Sequence, residues 1–267
     1  MKFIIPIFLI LSSCAGVEKK EELFADKKGC FLLYNLKTGK YEREVGTTCQ
    51  EQKVACSSFK VPLAVMAFDS GILKDENEML KWDGIQRNKV PEWNKDHNAR
   101  TWMSHSVVWF SQRLTPKLGE KRFKKYLKDF KYGNQDISHG ITDAWLVSPS
   151  GPESSLRISP YEQVEFLKAL WKDELPVSKR AMELTRKITY RETTPSGFVL
   201  SGKTGSNSYD NEGRVQLGWF ISHLQRGNEE YIAVVQFSDL VPQKTGTFGG
   251  PRAKEMLKEF LLREKLW

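Results

Sequence analysis

This chain has few candidate metal ligands, no apolar run long enough to span a membrane and no internal repeat. It has only 4 histidines among 267 residues, and none has a second ligand at metal-binding spacing, so we predict no metal. Zinc-finger spacings, RNA-binding signatures and repeats are missing as well, which argues against nucleic acid as a partner. The histidines are His97, His105, His139 and His223.

The apolar run at the N-terminus, residues 3–11, is too short to span a bilayer and follows the positive Lys2. This pattern predicts a signal peptide over residues 1–13. The next residue, Cys14, ends a segment that resembles the bacterial lipobox, in which the cysteine is lipidated; the alternative is an ordinary signal peptide with an incidental cysteine. We therefore expect an exported, periplasmic protein anchored through Cys14, with residues 14–26 as a polar leash and 27–267 as the folded domain. No later stretch is long and apolar enough to cross a membrane, so membrane contact is expected only through the lipid.

Cysteine is also rare, with 4 residues in the chain, but export would permit disulfides. Cys49 and Cys56 flank a short polar segment, and we predict that they pair and close a small loop before Ser57. Cys30 begins an apolar run and is most simply a buried strand residue. The alternative is that Cys49 and Cys56 both stay reduced.

Basic residues exceed acidic ones by 41 to 33, which gives a formal charge of +8 and favours anionic partners of any kind. The most basic segment, residues 121–128, has its apolar residues at helical spacing. We interpret it as the solvated face of a helix packed on the core, rather than as a surface for membrane or nucleic acid. The chain is long enough for one large domain or two interlocked lobes.

The order of the predicted elements indicates an α+β fold. We expect an antiparallel sheet built from N- and C-terminal strands and flanked by helices, with an inserted, mostly helical lobe. Alternation and turn residues predict strands over residues 31–35, 41–45, 198–204, 215–224 and 231–237. Helical periodicity and capping residues predict helices over 57–69, from 106 with a kink or restart at 115–116, over 120–130, from 160, over 178–188 and over 251–263.

Ser57 and Lys60 stand three residues apart at the start of the first predicted helix, so they share one face. A serine hydroxyl becomes a nucleophile when a neighbouring base takes its proton. Phe59 and Val61 would desolvate the lysine and favour its neutral form. The alternative is a serine near a helix start and a lysine on the surface. Pro62 removes a backbone donor, so the first turn is either distorted or tight.

Further short patterns follow in order along the chain. Singly, each is explained by a helix cap, a tight turn or a strand end. They are Ser106-Val107-Val108, Tyr132-Gly133-Asn134 and Lys203-Thr204-Gly205. With Ser57 and Lys60, this set resembles the serine β-lactamase and penicillin-binding protein superfamily.

The details of the resemblance favour class D, the oxacillinases, from about Cys30 to the C-terminal helix. The additional matching segments are Phe59 before the lysine, Trp145-Leu146, Leu156-Arg157-Ile158-Ser159 and Gly218-Trp219-Phe220. Two positions depart from the family pattern: Ser58 replaces a more usual threonine, and Ser206 stands where an aromatic residue often follows the glycine. These departures bear on substrate preference rather than on the reaction.

The resemblance implies hydrolysis of β-lactam antibiotics through an acyl-enzyme on Ser57. It implies that Lys60 is N-carboxylated by carbon dioxide or bicarbonate and serves as the general base, with no other cofactor. Trp145 is the indole expected to donate its N–H to the carbamate, and Val108 is expected to help keep the pocket dry. For Trp145 the alternative is a packed core aromatic.

Other roles are implied for the remaining motif residues. Ser106 would pass a proton to the departing lactam nitrogen, aided by Lys203. The backbone N–H groups of Ser57 and Ser206 would form the oxyanion hole. The substrate carboxylate would be held by Thr204, Gly205 and Arg252; for Arg252 the alternative is a surface arginine in the first turn of a helix.

Competing functions share parts of this pattern. The runner-up is a penicillin-binding sensor domain that is acylated without turnover, and a third possibility is a D,D-peptidase acting on cell-wall peptides. A non-catalytic exported lipoprotein is the remaining alternative. The substrate spectrum and the oligomeric state are not predicted.

Overall fold

An antiparallel sheet forms the centre of the computed structural model, which describes residues 22–87, 90–146, 154–244 and 246–267. Its six strands are β1 (Lys27–Asn35), β2 (Lys40–Gly46), β7 (Tyr190–Thr193), β8 (Val199–Ser208), β9 (Gln216–Arg226) and β10 (Glu229–Asp239). They follow the order β2-β1-β10-β9-β8-β7 across the sheet. N- and C-terminal strands thus meet at the β1–β10 pair, and the predicted α+β fold is confirmed.

Two short two-stranded sheets lie outside the central one. Their strands are β3 (Lys53–Val54) with β6 (Arg157–Ile158), and β4 (Met79–Leu80) with β5 (His97–Asn98). The predicted hairpin of β1 and β2 is confirmed, and Gly39 in its turn has φ +70°. The edge strand β7 was not predicted, because four residues are too few to establish an alternating pattern.

The helices pack on both faces of the central sheet. They are α1 (Lys60–Asp69), α2 (Ala99–Ser104), α3 (Val108–Leu118), α4 (Glu120–Asp129), α5 (Pro160–Trp171), α6 (Lys179–Ile188) and α7 (Gly249–Arg263). The C-terminal helix α7 covers one face, where Phe260 stacks on Phe31. The other helices form the lobe on the opposite face, around residues such as Phe59 and Trp145.

Capping residues begin several of these helices where the sequence predicts. Ser159 and Glu162 form the reciprocal bonds of a capping box at α5, and Ser178 caps α6. The basic helix α4 buries Phe123 while its lysines stay exposed, as expected for a solvated face. The helix predicted from 106 begins at Val108, runs through Pro116, and restarts only after Gly119, whose φ is +77°.

Of the segments predicted at the N-terminus, only residues 22–26 of the leash are among the described residues. The signal peptide at 1–13 and Cys14 lie outside them. Glu22–Phe24, at the end of the segment predicted as a leash, form a 3-10 turn, and the Phe24 ring lies 5.7 Å from that of Phe260. This end of the segment is therefore part of the folded domain. Within the described ranges, no helix has the length and apolar character needed to cross a bilayer.

The predicted disulfide between Cys49 and Cys56 is wrong. Cys49 instead pairs with Cys30, and Cys56 is a buried free thiol. Cys30 lies opposite Gly46 at the end of the β1–β2 hairpin, so the chain leaving β2 returns beside it within three residues. The two Cα atoms are 5.0 Å apart, a distance that a disulfide spans readily.

Candidate active site

Ser57 lies in a 3-10 turn, Cys56–Phe59, that leads directly into α1. The first turn is therefore tight, which is one of the two outcomes that Pro62 left open. In a 3-10 turn residues i and i+3 eclipse one another, and the Nζ atom of Lys60 donates to the Oγ atom of Ser57 at 3.0 Å. Lys60 is completely buried, whereas Ser57 stays partly exposed. The pair thus combines an accessible hydroxyl with a desolvated amine.

The electrostatic surroundings of Lys60 favour its neutral amine. Burial is the largest cause and holds its pKa well below the usual value, and the nearby charge of Lys203 lowers the pKa further. Burial also raises the pKa of the Cys56 thiol, so this neighbour stays protonated and adds no negative charge. Neutral Lys60 can accept a proton or attack an electrophile, which a charged ammonium cannot do.

Trp145 packs against the residue that precedes Lys60. It is completely buried, and its ring stacks on that of Phe59, the residue before Lys60, at a centroid distance of 5.0 Å. Its Nε1–H is buried and finds no acceptor among the described residues. A buried donor without a partner is costly, so the pocket favours an added acceptor. Val108 is only partly buried at the start of α3, and its neighbour Val107 is the buried valine.

Lys203 and Ser106 form the second hydroxyl–amine pair. The Nζ atom of Lys203, on β8, donates to the Oγ atom of Ser106 at 3.0 Å and to the carbonyl of Thr204 at 2.8 Å. Burial lowers the pKa of Lys203 to about 7. Ser106 adopts φ +57°, a left-handed conformation that costs energy for a residue with a side chain.

Gly205 brings β8 against the turn that carries Ser57. A Cβ atom at this position would lie 3.1 Å from the backbone nitrogen of Ser58 and 3.2 Å from the Cβ of Trp219. A larger residue would push the strand away. Because Gly205 fits here, Lys203 and Ser206 on the same strand are held close to the nucleophile turn.

A buried polar network supports the nucleophile turn from below. Gln163 on α5 donates to the Ser58 hydroxyl at 3.0 Å and to the Tyr132 hydroxyl at 3.3 Å. Ser58 in turn donates to the carbonyl of Ala55 at 2.6 Å. Gln163 was not among the predicted site residues. Its signal was a polar residue on the same helical face as the buried Leu167 and Leu170.

The Tyr132-Gly133-Asn134 motif also has a structural role. Gly133 has φ +52°, and a Cβ atom there would lie 1.9 Å from the carbonyl oxygen of Arg157. The Asn134 side chain donates to the carbonyl of Ser155 at 2.7 Å and accepts from the N–H of Arg157 at 3.0 Å. The motif thereby fixes β6, whose partner β3 ends just before the nucleophile turn.

Arg252 lies in the first turn of α7, beside the far end of β10. Its two terminal nitrogens donate to the carboxylate of Asp239 at 2.6 and 2.7 Å, and its guanidinium lies 4.7 Å over the Phe237 ring. The start of α7 also contacts the motif strand, because the N–H of Gly250 donates to the Ser206 hydroxyl at 2.7 Å. No pattern in the sequence marks Asp239 as the partner of Arg252.

The described part of the chain contains no group of three or more histidine, cysteine or carboxylate side chains placed to hold a metal. The polar groups described above for the site are two serine–lysine pairs, an indole and backbone groups.

Comparison with known proteins identifies the family. The penicillin binding protein transpeptidase domain matches residues 29–262. The chain is 39% identical over 220 residues to β-lactamase OXA-1 of Escherichia coli, a match that covers 79% of this chain and 76% of that protein. It is 36% identical over 246 residues to OXA-9 of Klebsiella pneumoniae, covering 85% and 84%. The chain belongs to the class D β-lactamases.

Solved structures of this family agree with the assignment. The class D β-lactamase BAT-2 superposes with a TM-score of 0.80 at 31% identity, covering 94% of this chain and 98% of that one. OXA-427 superposes with a TM-score of 0.76 at 36% identity, covering 90% and 100%. The family recognised from the motifs is thus confirmed, and with it the enzyme class, a serine β-lactamase. In this β-lactamase the fold brings Ser57, Lys60, Ser106 and Lys203 together, whereas Arg252 is engaged by Asp239.

Proposed function

We propose that this class D β-lactamase hydrolyses β-lactams through an acyl-enzyme on Ser57, with N-carboxylated Lys60 as the general base. The observation that carries the proposal is the completely buried Lys60 amine, 3.0 Å from the Ser57 hydroxyl. Trp145, which stacks on the neighbouring Phe59, adds an indole N–H that has no acceptor among the described residues. The relatives OXA-1 and OXA-9 are named β-lactamases, which supports the same reaction here.

The Lys60 pocket fits a carbamate on three counts. Its amine is favoured in the neutral form, and only a neutral amine attacks the carbon of carbon dioxide; an N–C bond forms and one amine proton leaves. The carbamate anion then needs a donor, which the Nε1–H of Trp145 can supply. When carboxylated, Lys60 carries an oxygen base able to take the proton of Ser57 and later that of water. The buried wall of Phe59 and Trp145 limits competing solvation.

In acylation the Ser57 oxygen attacks the lactam carbonyl, and the ring C–N bond breaks. The departing nitrogen takes a proton from Ser106, and the Lys203 ammonium, whose Nζ atom lies 3.0 Å from the serine oxygen, returns a proton to it. The backbone N–H groups of Ser57 and Ser206 are proposed to hold the oxyanion. The close approach at Gly205 supports this, since it brings β8 against the nucleophile turn.

The substrate carboxylate is proposed to bind at Thr204 and Gly205, with Arg252 contributing. Thr204 is well suited because its hydroxyl lies 3.3 Å from the Nζ atom of Lys203, in a locally cationic setting. Arg252 donates to Asp239 through only part of its N–H groups, so a guanidinium held in this way can still donate to a second carboxylate. The Asp239 carboxylate would weaken the attraction between Arg252 and the substrate carboxylate, because it neutralises the guanidinium charge.

The place of action remains a proposal from the sequence. We propose that the protein is exported to the periplasm after removal of residues 1–13 and is tethered by a lipid on Cys14. The lipobox-like segment before Cys14 supports this, and so does a substrate class that acts outside the cytoplasm. Mass spectrometry of the membrane-extracted protein tests it, because a lipidated N-terminal cysteine has a distinct mass.

One experiment separates the hydrolase from the runner-up sensor. The mature protein is mixed with a chromogenic cephalosporin, with and without added bicarbonate, while colour and protein mass are followed. Sustained turnover that increases with bicarbonate is expected. A single stoichiometric burst with a stable mass increase contradicts the proposal and supports a sensor that is acylated without release.

A further inference from the structure

Ser106 holds an unfavourable backbone conformation next to the group that it serves. Its φ is +57°, a region that residues other than glycine adopt only when their surroundings impose it. Its Oγ atom accepts from Lys203 at 3.0 Å. Relaxing this φ would rotate the hydroxyl away from Lys203, so some group must hold the backbone in place.

The φ angle of Ser106 is the rotation about the bond that joins its Cα atom to the peptide plane between His105 and Ser106. The carbonyl oxygen of this peptide accepts from the indole Nε1–H of Trp93 at 2.9 Å. The N–H of Ser106, in the same peptide plane, donates to the carbonyl oxygen of Met103 at 3.4 Å, which is a long and weak bond. The indole of Trp93 is therefore the stronger restraint on the orientation of the plane.

Trp93 is itself fixed by its neighbours. Its carbonyl accepts from the Nε1–H of Trp109 at 2.9 Å, and its own N–H donates to Val90 at 3.0 Å. Trp109 is buried on α3, three residues beyond Ser106. The bonds from Trp109 to Trp93 and from Trp93 to His105 thus bridge the strained serine from both sides.

We propose that Trp93 is a positioning residue for Ser106, acting through its indole N–H and not through the bulk of its ring. The inference rests on the proposed function, in which Ser106 protonates the departing lactam nitrogen. Because that proton is needed when the lactam C–N bond breaks and not when water releases the acyl group, loss of the donor slows acylation selectively. A one-ångström displacement of a catalytic group can cost about 100-fold in rate.

The test replaces the donor while keeping the shape. Trp93→Phe removes the N–H and shortens the ring, and benzothienylalanine at position 93 replaces the N–H by sulfur at nearly the same size. Trp82→Phe is the matched control, because the indole nitrogen of Trp82 is also buried but has no hydrogen-bond partner among the described residues. Acylation by a chromogenic cephalosporin is followed in single turnover, and release of the acyl group is followed by protein mass.

Both changes at Trp93 are expected to slow acylation by about 10- to 100-fold, with release of the acyl group within twofold of wild type and Trp82→Phe unaffected. Crystal structures of the two variants are expected to show Ser106 at negative φ with its bond to Lys203 lost. Wild-type acylation by the benzothienylalanine protein, or Ser106 unchanged in its structure, overturns the inference. If the unaltered enzyme forms no acyl adduct, the proposed function itself fails; the inferred hold on the Ser106 backbone is then decided by the crystal structures alone.

Discussion

The Nζ atom of Lys60 lies 3.0 Å from the Oγ atom of Ser57 although the lysine is completely buried. A buried amine whose hydrogen-bond partner in the described part of the chain is a single hydroxyl is poorly compensated as an ammonium. Burial accordingly lowers the pKa of Lys60 well below the usual value. The same burial that makes Lys60 a base also makes it reactive toward carbon dioxide. Replacing the lysine therefore tests whether both half-reactions depend on it.

Lys60→Ala is expected to permit slow acylation of Ser57 and to trap the adduct. Without the base, the water needed for deacylation is not activated, whereas the strained lactam still reacts slowly with the serine. Protein mass measured over hours after mixing with a penicillin should show a persistent adduct. Rapid turnover by this variant would remove the lysine from its proposed role. Lys125→Ala, at an exposed position of α4, serves as the control and should turn over normally.

The pH dependence of acylation should report Lys203. Burial lowers its pKa to about 7, so its positive charge is present below that pH and is lost as the pH rises. In Lys60→Ala we expect acylation to weaken above about pH 7. In the carboxylated enzyme the adjacent carbamate anion favours charged Lys203, so the transition should move to higher pH. Rate constants measured across pH in the two proteins check this, and a transition at the same or lower pH in the carboxylated enzyme would contradict it.

The Cys30–Cys49 disulfide should stabilise the fold. The two residues are separated by 19 positions, and closing a loop of that size is worth about 3 kcal/mol in the chain-entropy account. Cys49→Ser should lower the free energy of unfolding in urea by about this amount. Cys56→Ala is the control, because it removes a buried free thiol and leaves the Cys30–Cys49 disulfide intact. Peptide mapping by mass spectrometry should find Cys30 linked to Cys49, and a Cys49–Cys56 linkage would count against the structure.

Much of the fold could be predicted because its signals are local. Ser159 and Glu162 predict a capping box from a segment of four residues, and Gly39 predicts a hairpin turn. The disulfide partner of Cys49 could not be read in this way, because Cys56 is nearer along the chain while Cys30 is nearer in space. The short β7 exists through its pairing with β8, not through a pattern of its own.

In the active site, too, contacts between residues close in the sequence could be predicted, whereas contacts between distant residues could not. Ser57 and Lys60 are three residues apart, so helical geometry alone brings them together. The bond between Ser106 and Lys203 joins residues 97 positions apart, and only the family resemblance pointed to it. Asp239 carries no local signal that it pairs with Arg252, because the contact depends on where β10 ends beside α7.

The Arg252–Asp239 pair should stabilise the protein because the Asp239 side chain is completely buried. Arg252→Ala leaves that carboxylate without its cation and should cost about 3 to 5 kcal/mol. The double variant that also carries Asp239→Ala should cost less than the sum of the two single changes, since it leaves no unpaired charge. Urea unfolding of the two single variants and the double variant, each compared with the unaltered protein, gives the coupling free energy between Arg252 and Asp239. Lys124→Ala breaks an exposed pair with Glu120 and should cost about 0.5 kcal/mol or less.

The same arginine variant tests the carboxylate site. If Arg252 contributes to binding, Arg252→Ala should raise KM for a penicillin by about tenfold and change kcat little, the pattern expected when uniform binding is lost. Steady-state kinetics at a temperature where the variant is fully folded provide the measurement. An unchanged KM would assign the carboxylate to Thr204 and Gly205 alone.

Carboxylation of Lys60 is tested most directly by carbon-13 NMR of the enzyme in labelled bicarbonate, with turnover measured in the same samples. We expect a carbamate resonance in the unaltered protein that is absent from Lys60→Ala, with intensity and activity rising together as bicarbonate is added. Trp145→Phe removes the only indole N–H assigned to the carbamate and should need about 10 to 100 times more bicarbonate for half-maximal signal. Trp102→Phe, which removes a buried indole bonded to Ser111, should not shift that requirement. Full turnover without any carbamate resonance would contradict the account.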